Sequence, residues 1–244
     1  MSSARRWASA ALALSGAISA TFLSSPASAA VFDGNVQGLS HVFHSSSSNW
    51  SGYAATGRSF TKVSATWTQP AVSCGSQTTY SSFWVGLDGD GSNSVEQTGT
   101  EADCSGGRAV YSSWYEMYPK YPVNFSNPVS PGDVFQASVT YNGSGRFVLV
   151  LSDRTKGWSR TVNATLNNPA LASAEVIAEA PSSGSGVLPL SNFGTVNFSG
   201  SAANGSSLAS FSPDKITMAG GSTTKAVPGS ISSGGNFGVA WKHS

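Results

Sequence analysis

Apolar and polar residues alternate along most of this chain. Alternation predicts strands with one buried face, because successive side chains of a strand point to opposite sides. Val63, Ala65 and Trp67 alternate with Ser64, Thr66 and Thr68, which predicts a strand over 62–69. Phe135, Ala137, Val139 and Tyr141 alternate up to Asn142-Gly143, and 146–151 reads as the returning strand of a hairpin. Further strands are predicted over 158–166, 174–179, 195–200, 215–218 and 237–241. Beyond the first 29 residues no window carries a helical period over ten or more residues. With 27 Gly, 11 Pro and many Ser-rich turns, the pattern predicts an all-β fold, an antiparallel β-sandwich of two packed sheets, with no internal repeat.

Two runs put aromatic and acidic side chains together on the face that should look away from the core, and a third puts two glutamates there beside an Ile. Phe83, Val85 and Leu87 share one face, leaving Trp84, Gly86 and Asp88 on the other. Tyr115 and Met117 oppose Trp114, Glu116 and Tyr118, and Val176, Ala178 and Ala180 oppose Glu175, Ile177 and Glu179. The plain explanation is aromatic cover for a sheet and solvated glutamates, as most glutamates are. In a chain with only 10% charged residues, large aromatics beside carboxylates instead suit a groove for a polymeric ligand. If the 174–179 strand neighbours that of Trp114, Glu179 joins the groove, where desolvation would raise its pKa towards acid–base use.

The N-terminus sets the compartment. Arg5-Arg6, an apolar run over 7–23 and the small residues Ala27-Ser28-Ala29 read as a signal peptide over 1–29, hence a secreted, extracellular protein. That run is too short for a spanning helix, so no membrane anchor is expected. Residues 30–48, with His41, His44 and four consecutive serines, read as a linker or short pro-segment, and 49–244 as one domain. Outside the cell two cysteines normally pair, so a Cys74–Cys104 disulfide is expected. Losing Arg5 and Arg6 with the leader takes the formal charge from +1 to −1, which recruits neither nucleic acid nor an anionic membrane. Few basic residues also mean little self-repulsion once carboxylates protonate, so the composition tolerates acid. No H-E-x-x-H or Cys/His cluster indicates a metal, and no dinucleotide or P-loop glycine pattern indicates a cofactor. The lack of a G-x-S-x-G frame and the terminal placing of histidine argue against a serine triad. Chemistry is left to carboxylates.

Several motifs now carry a resemblance. Asn49-Trp50-Ser51-Gly52-Tyr53, Val63-Ser64-Ala65-Thr66-Trp67 and Trp84-Val85-Gly86-Leu87-Asp88-Gly89-Asp90 are followed by Glu96-Gln97-Thr98-Gly99, Trp114-Tyr115-Glu116-Met117-Tyr118-Pro119 and Ala174-Glu175-Val176-Ile177-Ala178-Glu179. In this order they resemble the glutamic peptidases, or eqolisins. The resemblance implies an acid-acting endopeptidase on a concanavalin-like sandwich, insensitive to pepstatin, taking polypeptide substrates. It places the catalytic pair on Gln97 and Glu179, and substrate contacts on Trp50, Trp84, Asp88, Trp114 and Glu116. An Asp common in the family two positions before the Trp-Tyr-Glu run is Ser112 here. A monomer is expected.

The competing reading is a carbohydrate-binding or glycoside-hydrolysing sandwich, since aromatic-lined sheets also hold sugars. A glycosidase needs two carboxyls about 5 to 10 Å apart. Glu116 is followed at alternate spacing by Tyr118, and Glu175 and Glu179 are separated by roughly 13 Å of strand rise, so neither pair fits.

Overall fold

The computed structural model describes residues 44–184 and 186–244. The expected leader over 1–29, most of the 30–48 segment and His41 lie outside the described residues. In chain order the strands are β1 (His44–Ser47), β2 (Trp50–Ala55), β3 (Lys62–Thr68), β4 (Ser82–Leu87), β5 (Val95–Ser105) and β6 (Arg108–Tyr118). Next come β7 (Val123–Asn124), β8 (Val134–Tyr141), β9 (Arg146–Asp153), β10 (Trp158–Thr165) and β11 (Ala174–Glu179). The last part adds β12 (Ser182–Ser183), β13 (Gly186–Val187), β14 (Thr195–Ala203), β15 (Ser206–Ser207), β16 (Asp214–Gly220), β17 (Thr223–Pro228) and β18 (Phe237–Trp241), with a 3-10 turn at Leu208–Phe211.

One hydrogen-bonded path runs β10-β9-β8-β3-β14-β18-β17-β16-β2-β11-β4-β5-β6-β7. Every ladder along it is antiparallel. The path folds back on itself, so that β4, β5 and β11 lie over β3, β8, β9 and β14. The two layers of the sandwich are therefore two halves of one sheet. Phe83, Val85, Leu87, Val176 and Ala178 meet Trp67, Phe135, Val139, Leu149 and Phe198 between them. Burial of each Val, Leu or Phe among them is worth roughly 1.5–3 kcal/mol. The one polar atom of Trp67 is satisfied, its Nε1 donating to Thr100 Oγ1 at 3.0 Å.

The core face of each predicted strand is the face the alternation indicates. Two expectations change. The hairpin reversal is longer than a two-residue turn: the Asn142 N–H donates to the Arg146 carbonyl at 2.8 Å, and Gly143, Ser144 and Gly145 all take positive φ. The boundary expected after Ser48 falls inside the fold, because β1 pairs parallel with Lys215–Met218 of β16. Ser47 is buried there, and its Oγ accepts the N–H groups of Asn49 (3.3 Å) and Trp50 (3.1 Å). Residues read as linker thus fix the start of β2.

Cys74 and Cys104 form a disulfide that ties the loop before β4 to the end of β5, with a sequence separation of 30. On the chain-entropy argument a loop of that size contributes about 3 to 4 kcal/mol. Denaturant titration of a C74A/C104A double variant should therefore show a loss of about that size; a loss under about 1 kcal/mol would mean that the unfolded loop is already restricted.

Candidate active site

Cross-strand register places the key residues in three rows on the face of β2, β11, β4, β5 and β6 that looks away from the main core. The middle row reads Trp114, Gly99, Trp84, Ile177, Gly52. Bulky side chains alternate with glycine for a steric reason. A Cβ on Gly99 would come within 2.6 Å of the Trp84 Cβ and 2.2 Å of the Phe83 carbonyl oxygen, and one on Gly86 within 2.9 Å of Trp84 Cζ3. The Trp84 indole can therefore lie along its own strand, benzo edge over Gly86. It meets Trp50 in a T-shaped contact, ring centroids 5.1 Å apart.

The second row reads Ser112, Glu101, Ser82, Glu179, Trp50. The Glu179 carboxyl reaches out of this row. Its Oε2 accepts the Trp84 Nε1–H at 2.8 Å and its Oε1 accepts Asn49 Nδ2–H at 3.0 Å. Ser47 Oγ–H donates in turn to Asn49 Oδ1 at 3.1 Å, so the end of β1 orients the amide that holds Glu179. The Trp50 Nε1 favours the carboxylate without closing a hydrogen bond.

The third row reads Glu116, Gln97, Gly86, Glu175, Ala54, Asp214. Gln97 Nε2 donates to Glu116 Oε2 at 2.6 Å. Gln97 Oε1, Glu116 Oε1 and both oxygens of Glu175 are buried without a hydrogen-bond partner. In the sequence Gln97 is named only by the family resemblance and Glu175 has no role; the register through Gly86, which pattern alone does not supply, sets the two in one row.

Burial sets the electrostatics. Desolvation first, and the Glu116 charge second, push the Glu179 carboxyl well above the usual carboxylate range, against its neutral donors. Desolvation pushes Glu116 up to about 8 although Gln97 donates to it. Glu175 is likewise pushed well up by burial, with Asp90 and Asp88 adding to the effect. Glu96 faces inward, and burial with Asp88 nearby pushes it up to about 8; Asp90 is pushed up to about 6 by burial and by Asp214. At the other end of the face, Ser112 Oγ–H donates to Glu101 Oε2 at 2.6 Å, so the serine supplies a neutral donor where the resembling family has a second acid. None of the groups acting on Glu179 or Glu175 is a lysine or arginine.

Two sets of expected site residues lie deeper than their strand parity suggests. The aromatic groove is not open: Trp50, Trp84 and Trp114 are at most 1% exposed, packed with Ala54, Val95, Ile177 and Ile216 into a second apolar cluster. Asp88, expected among the substrate contacts, is also fully buried, at φ 66 beyond the end of β4. Its two oxygens accept the Leu171 N–H (2.9 Å) and the Ala172 N–H (2.6 Å), which pins the loop before β11. That carboxylate is occupied by backbone.

Comparison with known proteins identifies the family and the fold. The profile of the Peptidase A4 family matches residues 48–241. Aspergillopepsin-2 of Aspergillus niger is 31% identical over 176 residues, covering 62% of this chain and 62% of that protein, so more than a third of that relative lies outside the match. Scytalido-glutamic peptidase, solved with a transition-state analog inhibitor, superposes with a TM-score of 0.68 at 25% identity, covering 80% of this chain and 98% of that one. SCP-B, an Eqolisin family member solved with the tripeptide Ala-Ile-His, gives 0.65 at 26% identity over the same shares, 80% and 98%.

The raised carboxyls make stability depend on pH with a definite sign. A carboxyl whose folded pKa exceeds its unfolded value binds its proton more tightly in the folded state, so its contribution is complete below the unfolded pKa and is lost as pH rises through the folded one. With Asp90 at about 6 and Glu96 and Glu116 at about 8, the loss runs from about pH 4 to about pH 8. Calorimetry should show the highest Tm in acid and a fall of about 10 °C or more by pH 8, reduced in Glu96→Gln. A Tm that is flat or rises over that range would contradict the assignment.

Proposed function

The chain belongs to the peptidase A4 family, the glutamic peptidases, and on that footing we propose that it is a secreted acid endopeptidase that hydrolyses peptide bonds with Gln97 and Glu179. The observation that carries this reading is the Glu179 carboxyl: buried, held on both oxygens by neutral donors, faced by no cation, and coupled through Glu116 to the Gln97 amide. The tripeptide bound to the similar SCP-B supports peptides as the ligand class.

In acid the Glu179 carboxyl starts neutral. After the Trp84 and Asn49 hydrogen bonds it keeps one O–H and one free lone pair, enough to give and take a proton in the same step. As water adds to the peptide carbonyl carbon, one oxygen of Glu179 takes the water's proton and the other gives its own to the carbonyl oxygen, forming a neutral gem-diol. In the second step Glu179 protonates the amide nitrogen and takes a proton from one diol hydroxyl; the C–N bond breaks and the carboxyl ends protonated as it began. Gln97 cannot titrate. One of its N–H bonds is fixed on Glu116; the second can donate to the oxygen gaining negative charge, and its unpartnered Oε1 can hold the water. Glu116 thus positions Gln97 rather than moving protons. Trp50, Trp84 and Trp114 would form the apolar floor under the substrate chain.

Folded Glu179→Gln should lose peptide hydrolysis to near background at every pH, since it keeps the shape and removes the proton exchange. Gln97→Ala deletes one oxyanion donor, a loss of about 2.7–4 kcal/mol, so kcat should fall roughly a hundred- to a thousandfold. The wild-type activity should resist pepstatin. A folded Glu179→Gln with near-native rate at acid pH, or a wild type that hydrolyses polysaccharide and no protein, would overturn the reading.

A further inference from the structure

Glu175 has no part in the chemistry above, yet it is built into the same face. It shares a row with Gln97, with only Gly86 between them. It is 0% exposed and neither carboxyl oxygen has a hydrogen-bond partner. The Ser173 hydroxyl and the Asp90 N–H approach it, but the Asp90 N–H is already donated to Ser173 Oγ at 3.2 Å. The Trp84 indole connects it to the proposed catalytic carboxyl: Nε1 bonds Glu179, while Cζ3 lies over Gly86, between Gln97 and Glu175. Glu179 and Glu175 therefore stand toward opposite ends of one ring. Four positions apart on β11, they are separated by roughly 13 Å, about four residues of extended peptide.

We propose that Glu175 is a substrate-holding residue, whose neutral carboxyl donates a hydrogen bond to a backbone carbonyl of the bound peptide several residues from the scissile bond. This rests on the peptidase reading. A buried carboxyl with both oxygens unpartnered is a group waiting for a polar ligand, and an extended chain laid over Trp84 brings a carbonyl to it. Burial and the charges of Asp90 and Asp88 favour the neutral donor form, against the Ser173 hydroxyl and the Asp90 N–H. Asp88 and Asp90 come from the loop after β4, Asp214 lies across Ala54 with its Oδ1 accepting the Ser45 N–H, and Gln97 and Glu116 lie across Gly86; none is cationic. Once ionised, Glu175 would repel a carbonyl oxygen instead of donating to it, so binding and not turnover should fail first.

The test compares wild type, Glu175→Gln and Glu175→Ala on two cleavable synthetic peptides, one of about eight residues and one too short to span the four positions on either side of the cut. Glu175→Gln keeps a donor that does not titrate. Its acid kcat and KM should match the wild type, and its kcat/KM should fall with rising pH by one proton less steeply. Glu175→Ala should raise KM for the long peptide about tenfold, leave kcat within about threefold, and change neither constant for the short one. If Glu175→Ala does not fold, the Glu175→Gln profile decides alone. A Glu175→Gln profile that overlays the wild type, or a Glu175→Ala that loses kcat at constant KM, overturns the proposal while the peptidase reading stands; a wild type that cleaves neither peptide removes both.

Discussion

The Trp84 side chain lies along its own sheet because glycine stands on both sides of it, and most of the site follows from that packing. With any side chain at Gly99 the indole would be forced off the strand by contact with its own Cβ, and a side chain at Gly86 would strike its benzo edge. Lying flat, the ring presents Nε1 to Glu179 and packs edge-on against Trp50. The same placement leaves Gln97 and Glu175 beside the benzo edge, in a row where Gly86 fills no space. A row of alternating large and absent side chains thus acts as a jig for three polar groups.

The second constraint is that, among the described residues, no positive charge acts on these acids. Among the described residues, Lys156 pairs with Asp133 and Asp153 in the opposite layer. On the site face Glu116, Glu175 and Glu179 are surrounded by amides, hydroxyls, indoles and other acids. A buried carboxyl in that setting is comfortable only when neutral. In the proposed mechanism, the protons that keep Glu179 in its working form and those that keep the sheet stable are drawn from the same acidic solution, so activity and stability would share one pH range. A single arginine placed here would ionise the acids and undo both.

Much of the fold is legible in the alternation: the inward faces of β3, β4, β6, β8 and β11 follow residue by residue from it. What escapes the pattern has physical causes. β17 carries Lys225 and ends on Pro228, which dilute the alternation, yet it is held between β16 and β18 in the path. β1 is a run of serines after His44, and its place comes from pairing with β16, far away in sequence. At the site, the aromatic residues and glutamates stand out by type and parity, and the family resemblance distinguishes Gln97 from other strand amides. The burial of Trp50 and Trp114, the capture of Asp88 by backbone N–H groups, and the alignment of Glu175 with Gln97 depend on register and on a positive φ at Asp88, and neither is visible in residue type.

The account stands on a Glu179 carboxyl that is neutral in acid because it is buried beside Glu116 and bonded only by neutral donors. Carbon-13 NMR titration of protein labelled at the glutamate carboxyl carbon, compared with the same titration of Glu179→Gln to identify the missing resonance, measures this directly. The account predicts a Glu179 midpoint well above the ordinary glutamate value of about 4.3. A midpoint at or below that value would contradict it.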